Sequence, residues 1–276
     1  MLEAIFLGAL QGLTEFLPIS SSAHIRFAGE IFGTNQDPGA TFTAITQIGT
    51  ELAVLIYFRN DILRIIKAWL NQITHRHLES SEKSDARIGW LIIVGSLPIA
   101  VLGYLGQGVI RNDFRSLWLI ASVMIIFGVI LGIADKYGKV ERELHQLTPV
   151  HGALYGLAQS LALVPGVSRS GATIAMGRFL GYSREAALRY SFLLALPAVF
   201  GSGFYELNGA IGSDVTDQAF SLPETLVATA VAFIIGYAVI AWLLKFVMTR
   251  SFAPFIYYRI GLGTLVLVAL ATGVIG

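Results

Sequence analysis

Six apolar segments, each about as long as a bilayer is thick, limit what this chain can fold into. They lie at about residues 41–58, 88–106, 115–135, 188–206, 224–247 and 257–275. A membrane-spanning helix needs about 20 predominantly apolar residues, and in lipid it must satisfy its own backbone hydrogen bonds. The sequence therefore predicts an all-α polytopic membrane protein with six transmembrane helices.

Composition supports this prediction and excludes several other classes. The chain is 55% hydrophobic and only 13% charged, whereas soluble domains carry about 25% charged residues. Its formal net charge of +1 and the absence of a basic tail predict no nucleic-acid partner. The chain has no cysteine, which excludes disulfides, thiolate catalysis and cysteine-ligated metals. Met1–Leu10 lacks a basic region, so we expect no cleavable signal peptide.

One polar stretch, LVPGVSRSGATIAM at residues 163–176, stands inside an apolar context. Pro165 and Gly166 predict that a helix stops there and that another starts at about Ser168. A restarted helix presents free backbone N–H groups and the positive end of its dipole, which suit a phosphate. Further donors would come from Ser168, Arg169, Ser170 and Thr173. The alternative is a structural kink, with Arg169 reaching towards the lipid headgroups.

The N-terminal segment shows a similar interruption. Residues 2–17 are typical of a helix, Pro18 stops it, and Ser20–Ser22 can cap a second helix that runs to about Phe32. Each arm is too short to cross a bilayer. We therefore predict a re-entrant hairpin over residues 2–32.

Several polar side chains in this hairpin share helix faces. Gln11 and Glu15 are four residues apart on the first arm, and Ser21 and His24 are three apart on the second. Each has a structural alternative: Glu15 could be solvated among headgroups, His24 could be a packing residue, and the serines could be simple caps. Their combination within a few residues favours a chemical role.

The chain also repeats itself weakly. Without gaps, Gly8 aligns with Gly156 and Gln11 with Gln159, and the serine pair Ser20 and Ser22 aligns with Ser168 and Ser170. Weak internal symmetry with paired broken helices is typical of inverted-repeat membrane proteins. We predict an inverted-topology repeat within a single membrane domain, with repeat one at 1–135, repeat two at 150–276 and a second re-entrant hairpin at 150–180.

Loop charges agree with the inversion. The loops at 59–87 and 136–149 are rich in Lys and Arg and are predicted to be cytoplasmic, whereas 207–223 has neither but contains Asp214 and Asp217. The first loop is expected to contain an amphipathic surface helix around 61–70. With this orientation the hairpins enter from opposite sides, and their tips meet in one cavity. Arg259, early in the last span, either joins this cavity or anchors at the interface.

This set of side chains suits phosphoryl transfer. A carboxylate beside an amide can bind Mg²⁺ or Ca²⁺, arginines and helix N-termini suit a polyanion, and a serine with a histidine suits a nucleophile with its base. Because the site would lie in lipid, we expect a substrate whose tail stays in the bilayer. The inference is hydrolysis of a lipid pyrophosphate.

Three motifs carry a resemblance to a known family. QGLTE at 11–15, PISSSAH at 18–24 and PGVSRSGAT at 165–173 resemble the signatures of the undecaprenyl pyrophosphate phosphatases, also called bacitracin-resistance proteins. The similarity extends to ITQIG at 45–49, YSFLLALP at 190–197 and FIYYR at 255–259. It implies metal-dependent conversion of undecaprenyl pyrophosphate to the monophosphate carrier of cell-wall peptidoglycan synthesis. It also implies a site open to the outer side of the bacterial inner membrane, and bacitracin as a competitor for the substrate.

The resemblance assigns roles by motif. Glu15 and Gln11 would bind the metal, and Ser21 and His24 would be the nucleophile and base candidates. Contacts to the pyrophosphate are expected from Ser20, Ser168, Arg169, Ser170, Thr173 and Arg259. The family admits Glu or Gln at the position of Gln11, so this chain has one carboxylate fewer there. Whether Ser21 attacks covalently or orients a water stays open.

Two other classes remain. Inverted repeats with a central anion site are also transporter architecture, so the chain could flip the monophosphate lipid instead of, or besides, hydrolysing the pyrophosphate. Glu15 with His24 speaks against a pure transporter, because carrying an anion needs no carboxylate and base. A structural subunit is the third reading, since the pairs Gly128/Gly132 and Gly152/Gly156 could pack helices or form a homodimer.

Overall fold

The computed structural model describes residues 1–31, 39–112, 114, 116–139, 142–212 and 219–275. Twelve α-helices are described in these ranges: α1 Leu2–Thr14, α2 Ser21–Ile31, α3 Gly39–Tyr57, α4 Arg59–Ile73, α5 Ser80–Leu105, α6 Gln107–Asn112, α7 Leu117–Tyr137, α8 Pro149–Ser160, α9 Arg169–Phe179, α10 Arg184–Gly212, α11 Leu222–Thr249 and α12 Ala253–Ala271. The predicted helix end at Phe32 and the loop residues Asp214 and Asp217 lie outside the described residues.

Long apolar helices confirm an all-α polytopic membrane protein. Five of them, α5, α7, α10, α11 and α12, are long and apolar enough to cross a membrane, and the pair Thr41–Tyr57 and Arg59–Ile73, bent by 78°, makes up to six. The remaining predicted span, at 41–58, corresponds to the first helix of this bent pair. The predicted surface helix around 61–70 corresponds to the second.

Helix caps explain why two of these helices begin before the apolar runs that predicted them. The apolar run in α5 begins at about residue 88, but the helix begins at Ser80, where Glu79 and Glu82 form a capping box. Ser221 and Glu224 form the same motif at the start of α11. Each box satisfies backbone N–H groups that the first helical turn leaves without an acceptor. Polar caps therefore extend a helix beyond the segment that hydropathy identifies.

Two helix–break–helix units occupy the predicted hairpins. The first consists of α1 and α2, and the second of α8 and α9. Both first arms end earlier than predicted: α1 at Thr14, before Pro18, and α8 at Ser160, before a single 3-10 turn at Leu161–Leu163. The second restart is as predicted, because Ser168 caps α9 by accepting the N–H of Gly171 at 3.1 Å.

The two breaks share an unusual backbone feature. Ser20 and Ser168, which align in the internal repeat, have φ angles of 73° and 68°. A positive φ is uncommon for a residue with a side chain and persists only where the surroundings hold it. In both breaks the serine two residues further along lies close to this residue: the Oγ atoms of Ser20 and Ser22 are 3.2 Å apart, as are those of Ser168 and Ser170.

The first arm of each hairpin packs closely against a long helix of the other half of the chain. Helix α1 lies on α11 and α8 lies on α5. A Cβ at Gly8 would overlap the backbone of Ala228, and one at Gly156 would lie 2.6 Å from the carbonyl oxygen of Gly95. These two aligned glycines therefore allow the same close approach of helix backbones.

The glycine pairs that suggested a homodimer are used inside the chain. Gly152 and Gly156 pack against Leu91 and Gly95. Gly128 and Gly132 pack against α12, at Arg259, Ile260 and Ile256. They support helix packing within the chain and no longer argue for a dimer interface.

We predict that Gly8→Ala and Gly156→Ala each destabilise the fold, because the added methyl group meets backbone that cannot rotate away. The expected loss is about 1–3 kcal/mol of the free energy of unfolding. Thermal unfolding in detergent would measure it. Gly261→Ala is the matched control, since a Cβ there meets nothing within 4 Å. Equal melting temperatures for all three variants would contradict the close packing.

Candidate active site

The tips of the two hairpins meet around a buried guanidinium. Arg259 of α12 is fully buried and donates to the carbonyl oxygen of Pro18 at 3.0 Å, in the first break. It also donates to the carbonyls of Gly166 at 2.7 Å and Val167 at 3.1 Å, in the second, and to Met124 of α7. Ser170 adds a hydrogen bond to the carbonyl of Leu17 at 3.1 Å. Hydrogen bonds from the side chains of Arg259 and Ser170 to backbone carbonyls of the breaks therefore hold the two hairpin tips together.

Glu15 lies where the first break begins and accepts hydrogen bonds from four side chains, the longest from Gln47 Nε2 at 3.5 Å. Its Oε2 accepts from Gln11 Nε2 at 2.7 Å and from Ser21 Oγ at 2.6 Å. Its Oε1 accepts from Arg169 Nη2 at 2.7 Å. The carboxylate side chain is 3% exposed. The structure therefore brings four predicted site residues from two hairpins into one cluster.

A second buried carboxylate completes the cluster. Glu51 of α3 is fully buried, and its Oε1 accepts from Arg169 Nη2 at 2.6 Å, the same nitrogen that contacts Glu15. Charge-assisted hydrogen bonds of this kind are strong when buried. Sequence reasoning did not select Glu51, although a single carboxylate inside the apolar run at 41–58, just after ITQIG, was a usable signal.

Three atoms of this cluster are buried without a hydrogen-bond partner. They are Gln11 Oε1, Glu51 Oε2 and Arg169 Nη1. Buried polar groups are normally satisfied, and each exception needs an explanation. The two oxygens could bind a hard cation, and the guanidinium N–H could donate to an anion. A complex of a metal ion with a phosphate presents both a cation and an anion.

The carboxylate and amide oxygens of the cluster fit a divalent cation that also takes ligands from a substrate. No group of three or more His, Cys, Asp or Glu side chains suited to a metal occurs among the described residues. Mg²⁺, however, is usually bound by one or two carboxylates together with substrate phosphates. Glu15 and Glu51 supply two carboxylates, and Gln11 supplies an amide oxygen.

The remaining donors of the second hairpin differ in what they face. Ser168 and Arg169 line a cavity of about 470 Å³, together with Glu15, Ser20 and Ser21. Ser170 and Thr173 do not line it, because Ser170 bonds to Leu17 and Thr173 bonds to Ser191 and to the carbonyl of Arg169.

Arg259 of α12 does not line the cavity either, since all its nitrogens donate to backbone carbonyls. In this structure Arg259 positions the breaks, and four of its five N–H groups donate to backbone carbonyls.

His24 makes no hydrogen bond to Ser21. Its Nδ1 lies 2.7 Å from the carbonyl oxygen of Ser20, which can only accept, so Nδ1 carries a proton. Its Nε2 lies 2.8 Å from the hydroxyl of Tyr258. Both ring nitrogens are therefore engaged, and the hydrogen-bond partner of Ser21 is Glu15. Sequence reasoning quoted Tyr258 within FIYYR but assigned it no role.

Known proteins resemble this chain over almost its whole length. A family model described as "Bacitracin resistance protein BacA" matches residues 4–265. An undecaprenyl-diphosphatase of Pseudarthrobacter chlorophenolicus is 56% identical over 273 residues, covering 99% of this chain and 98% of that protein. One from Micrococcus luteus is 58% identical over 274 residues, with 99% and 98% coverage. The protein named undecaprenyl-diphosphatase 2 of Agrobacterium fabrum is 56% identical over 274 residues, with 99% and 97% coverage.

We predict that Glu51→Gln destabilises the protein more than removal of a surface charge does. The substitution leaves Arg169, whose side chain is 13% exposed, with one carboxylate instead of two, and hydrogen bonds to charged groups are worth about 1.5–3 kcal/mol. Melting temperature in detergent is the measurement. The control is Glu185→Gln, which breaks an i,i+4 pair with Arg189 whose side chains are 39% and 33% exposed. A shift no larger than the control's would show that Glu51 does not stabilise Arg169.

Proposed function

Because this chain belongs to the bacitracin-resistance (BacA) family, we propose that it is an undecaprenyl-diphosphate phosphatase, which hydrolyses undecaprenyl pyrophosphate to undecaprenyl phosphate and inorganic phosphate. Relatives named for this activity are 54–58% identical over nearly the full length. The observation that carries the proposal is the cluster of Glu15, Ser21 and Arg169 beside a cavity of a membrane-spanning protein. The reaction would recycle the lipid carrier of cell-wall peptidoglycan synthesis.

The pyrophosphate would bind at the start of α9. Arg169 lines the cavity and keeps Nη1 without a partner, so it can donate to a phosphate oxygen while Nη2 stays on its carboxylates. Ser20 and Ser168 add hydroxyl donors from the two breaks, and the helix N-terminus favours negative charge. Ser170 and Thr173 support this anion site through the backbone of the hairpins.

A divalent cation, Mg²⁺ or Ca²⁺, would be held by Glu15, by the amide oxygen of Gln11 and by Glu51. When bound, it would neutralise charge on the pyrophosphate, which is the main contribution that metals make to phosphoryl transfer. Glu51 would replace the carboxylate that Gln11 does not supply. The unpartnered oxygens of Gln11 and Glu51 support this assignment, and of the three residues Glu15 is the one that lines the cavity.

Ser21 is the candidate nucleophile, and Glu15 is the candidate acceptor of its proton. The hydroxyl lines the cavity and already donates to the Glu15 carboxylate at 2.6 Å. Ser21 Oγ would attack the terminal phosphorus, the anhydride bond would break, and undecaprenyl phosphate would leave. Water would then hydrolyse the phosphoserine and release inorganic phosphate. His24 would position the second arm through Ser20 and Tyr258, because both its ring nitrogens are hydrogen-bonded to these residues and not to Ser21.

The transporter reading requires only donors for an anion. The hydrogen bond between Ser21 and Glu15 has no part in carrying a lipid phosphate, whereas hydrolysis uses it directly. Hydrolysis therefore explains more of the site.

We also propose the setting of the reaction. The basic loops at 59–87 and 136–149 favour a cytoplasmic position, so the cavity would open to the outer side of the bacterial inner membrane. Bacitracin would then compete for the pyrophosphate substrate on that side.

Purified protein in detergent should release phosphate from undecaprenyl pyrophosphate, and EDTA should abolish the release until Mg²⁺ or Ca²⁺ is restored. Glu15→Ala and Arg169→Ala should each lower turnover by about 100-fold or more, because groups that stabilise developing charge contribute this much. Arg64→Ala is the control, since Arg64 lies on α4 with its side chain 58% exposed. Near-normal turnover by folded Glu15→Ala or Arg169→Ala would refute the site.

Trapping can separate the two roles open to Ser21. If Ser21 is the nucleophile, rapid acid quenching during turnover should leave phosphate on the peptide that contains it, and Ser21→Ala should lose both the adduct and phosphate release. A Ser21→Ala variant that still releases phosphate would show that water attacks directly.

Tyr258→Phe should lower turnover less than Ser21→Ala, because it removes only the hydrogen bond that orients His24.

A further inference from the structure

We infer that the isoprenoid chain of the substrate leaves the cavity sideways, between the outer halves of α5 and α10, and enters the bilayer there. This inference rests on the proposed function. The passage, called here the α5–α10 opening, is lined by Ile99, Ala100, Gly103, Pro197, Ala198 and Gly201.

The cavity has two chemically different parts. The hairpin breaks contribute carboxylate, hydroxyl and guanidinium groups, whereas the six residues of the α5–α10 opening are apolar. Both parts line one continuous cavity. A ligand that fills it must therefore be charged at one end and apolar at the other, as a lipid pyrophosphate is.

A contact between the two helices marks the inner limit of this opening. Ser96 Oγ of α5 donates to the carbonyl oxygen of Leu194 of α10 at 3.2 Å. Ile99 and Pro197, one turn further along, are the first residues of each helix to line the cavity. The helices are thus joined just below the opening and enclose the cavity just above it.

Small residues let the cavity reach the lateral surface. Ala100 and Gly201 line the cavity and are also exposed. A Cβ at Gly201 would meet nothing within 4 Å. Apart from Ser202, the exposed side chains next to the opening on the two helices include the apolar Val101, Leu102 and Phe204. The outer surface around the opening is therefore suited to lipid.

The alternative exit is unfavourable for an isoprenoid. The remaining lining of the cavity includes the polar residues Gln107, Ser202 and Glu206 as well as the apolar residues Ile110, Ala162, Leu163 and Val199. A chain that left past the three polar residues would enter water, at a cost of about 0.8 kcal/mol for each exposed CH₂ group. Through the apolar opening the chain stays in hydrocarbon throughout. A volume of about 470 Å³ is that of a small-molecule site, so most of a long chain would lie in the bilayer.

The test blocks the opening without touching the polar cluster. Gly201→Trp fills it from α10, and Ala100→Leu narrows it from α5. Gly209→Trp is the matched control, because Gly209 lies on the same helix, is exposed, has nothing within 4 Å of a Cβ and does not line the cavity. Steady-state kinetics with undecaprenyl pyrophosphate would be measured for all variants, together with inhibition by inorganic pyrophosphate, which carries the headgroup alone.

We expect Gly201→Trp to raise KM by about tenfold or more, equivalent to about 1.4 kcal/mol. Ala100→Leu should raise KM in the same direction, and Gly209→Trp should match the wild type. Inhibition by inorganic pyrophosphate should be unchanged in every variant. Wild-type KM in Gly201→Trp and Ala100→Leu would overturn the inference, as would a parallel weakening of pyrophosphate inhibition, which would place the effect at the headgroup site. Failure of the proposed function is distinct, since wild-type protein would then release no phosphate.

Discussion

A broken helix inside a membrane leaves backbone carbonyls and N–H groups without partners, and lipid cannot satisfy them. This chain has two such breaks, and the buried guanidinium of Arg259 donates to carbonyls in both. Removing water from a charged group is expensive unless its hydrogen bonds are satisfied. Here the charge of Arg259 and the exposed backbone of the breaks satisfy one another, and this exchange sets the distance between the hairpin tips.

The active cluster depends on that distance. Glu15 and Ser21 flank the first break, and Arg169 begins the helix after the second. Their hydrogen bonds form because the breaks face each other, and Glu51 of α3 adds a second acceptor for Arg169. An arginine between two carboxylates is already oriented, so little further ordering would be needed for it to bind a phosphate, as proposed above.

The internal repeat builds one site from two unlike halves. Ser20 and Ser168 have the same left-handed backbone, and Gly8 and Gly156 allow the same close helix packing. The reactive positions, however, differ: Glu15 aligns with Leu163, Ser21 with Arg169 and His24 with Ala172. The first break therefore supplies the acid and hydroxyl groups, and the second supplies the cation. Two breaks with the same local backbone conformation at Ser20 and Ser168 thus present different sets of side chains.

The sequence by itself determined the spans, both interruptions, the cap at Ser168 and the choice of Glu15, Ser21 and Arg169 as candidates, because hydropathy, Pro/Gly positions and helical spacing are local signals. Only the tertiary structure showed that Glu51 is a hydrogen-bond partner of Arg169 and that Tyr258 is one of His24. It also showed that Ser21 bonds to Glu15 and not to His24, and that Arg259 supports the breaks. These contacts join α3 and α12 to distant hairpins. No periodicity records such contacts, since they depend on how the helices pack.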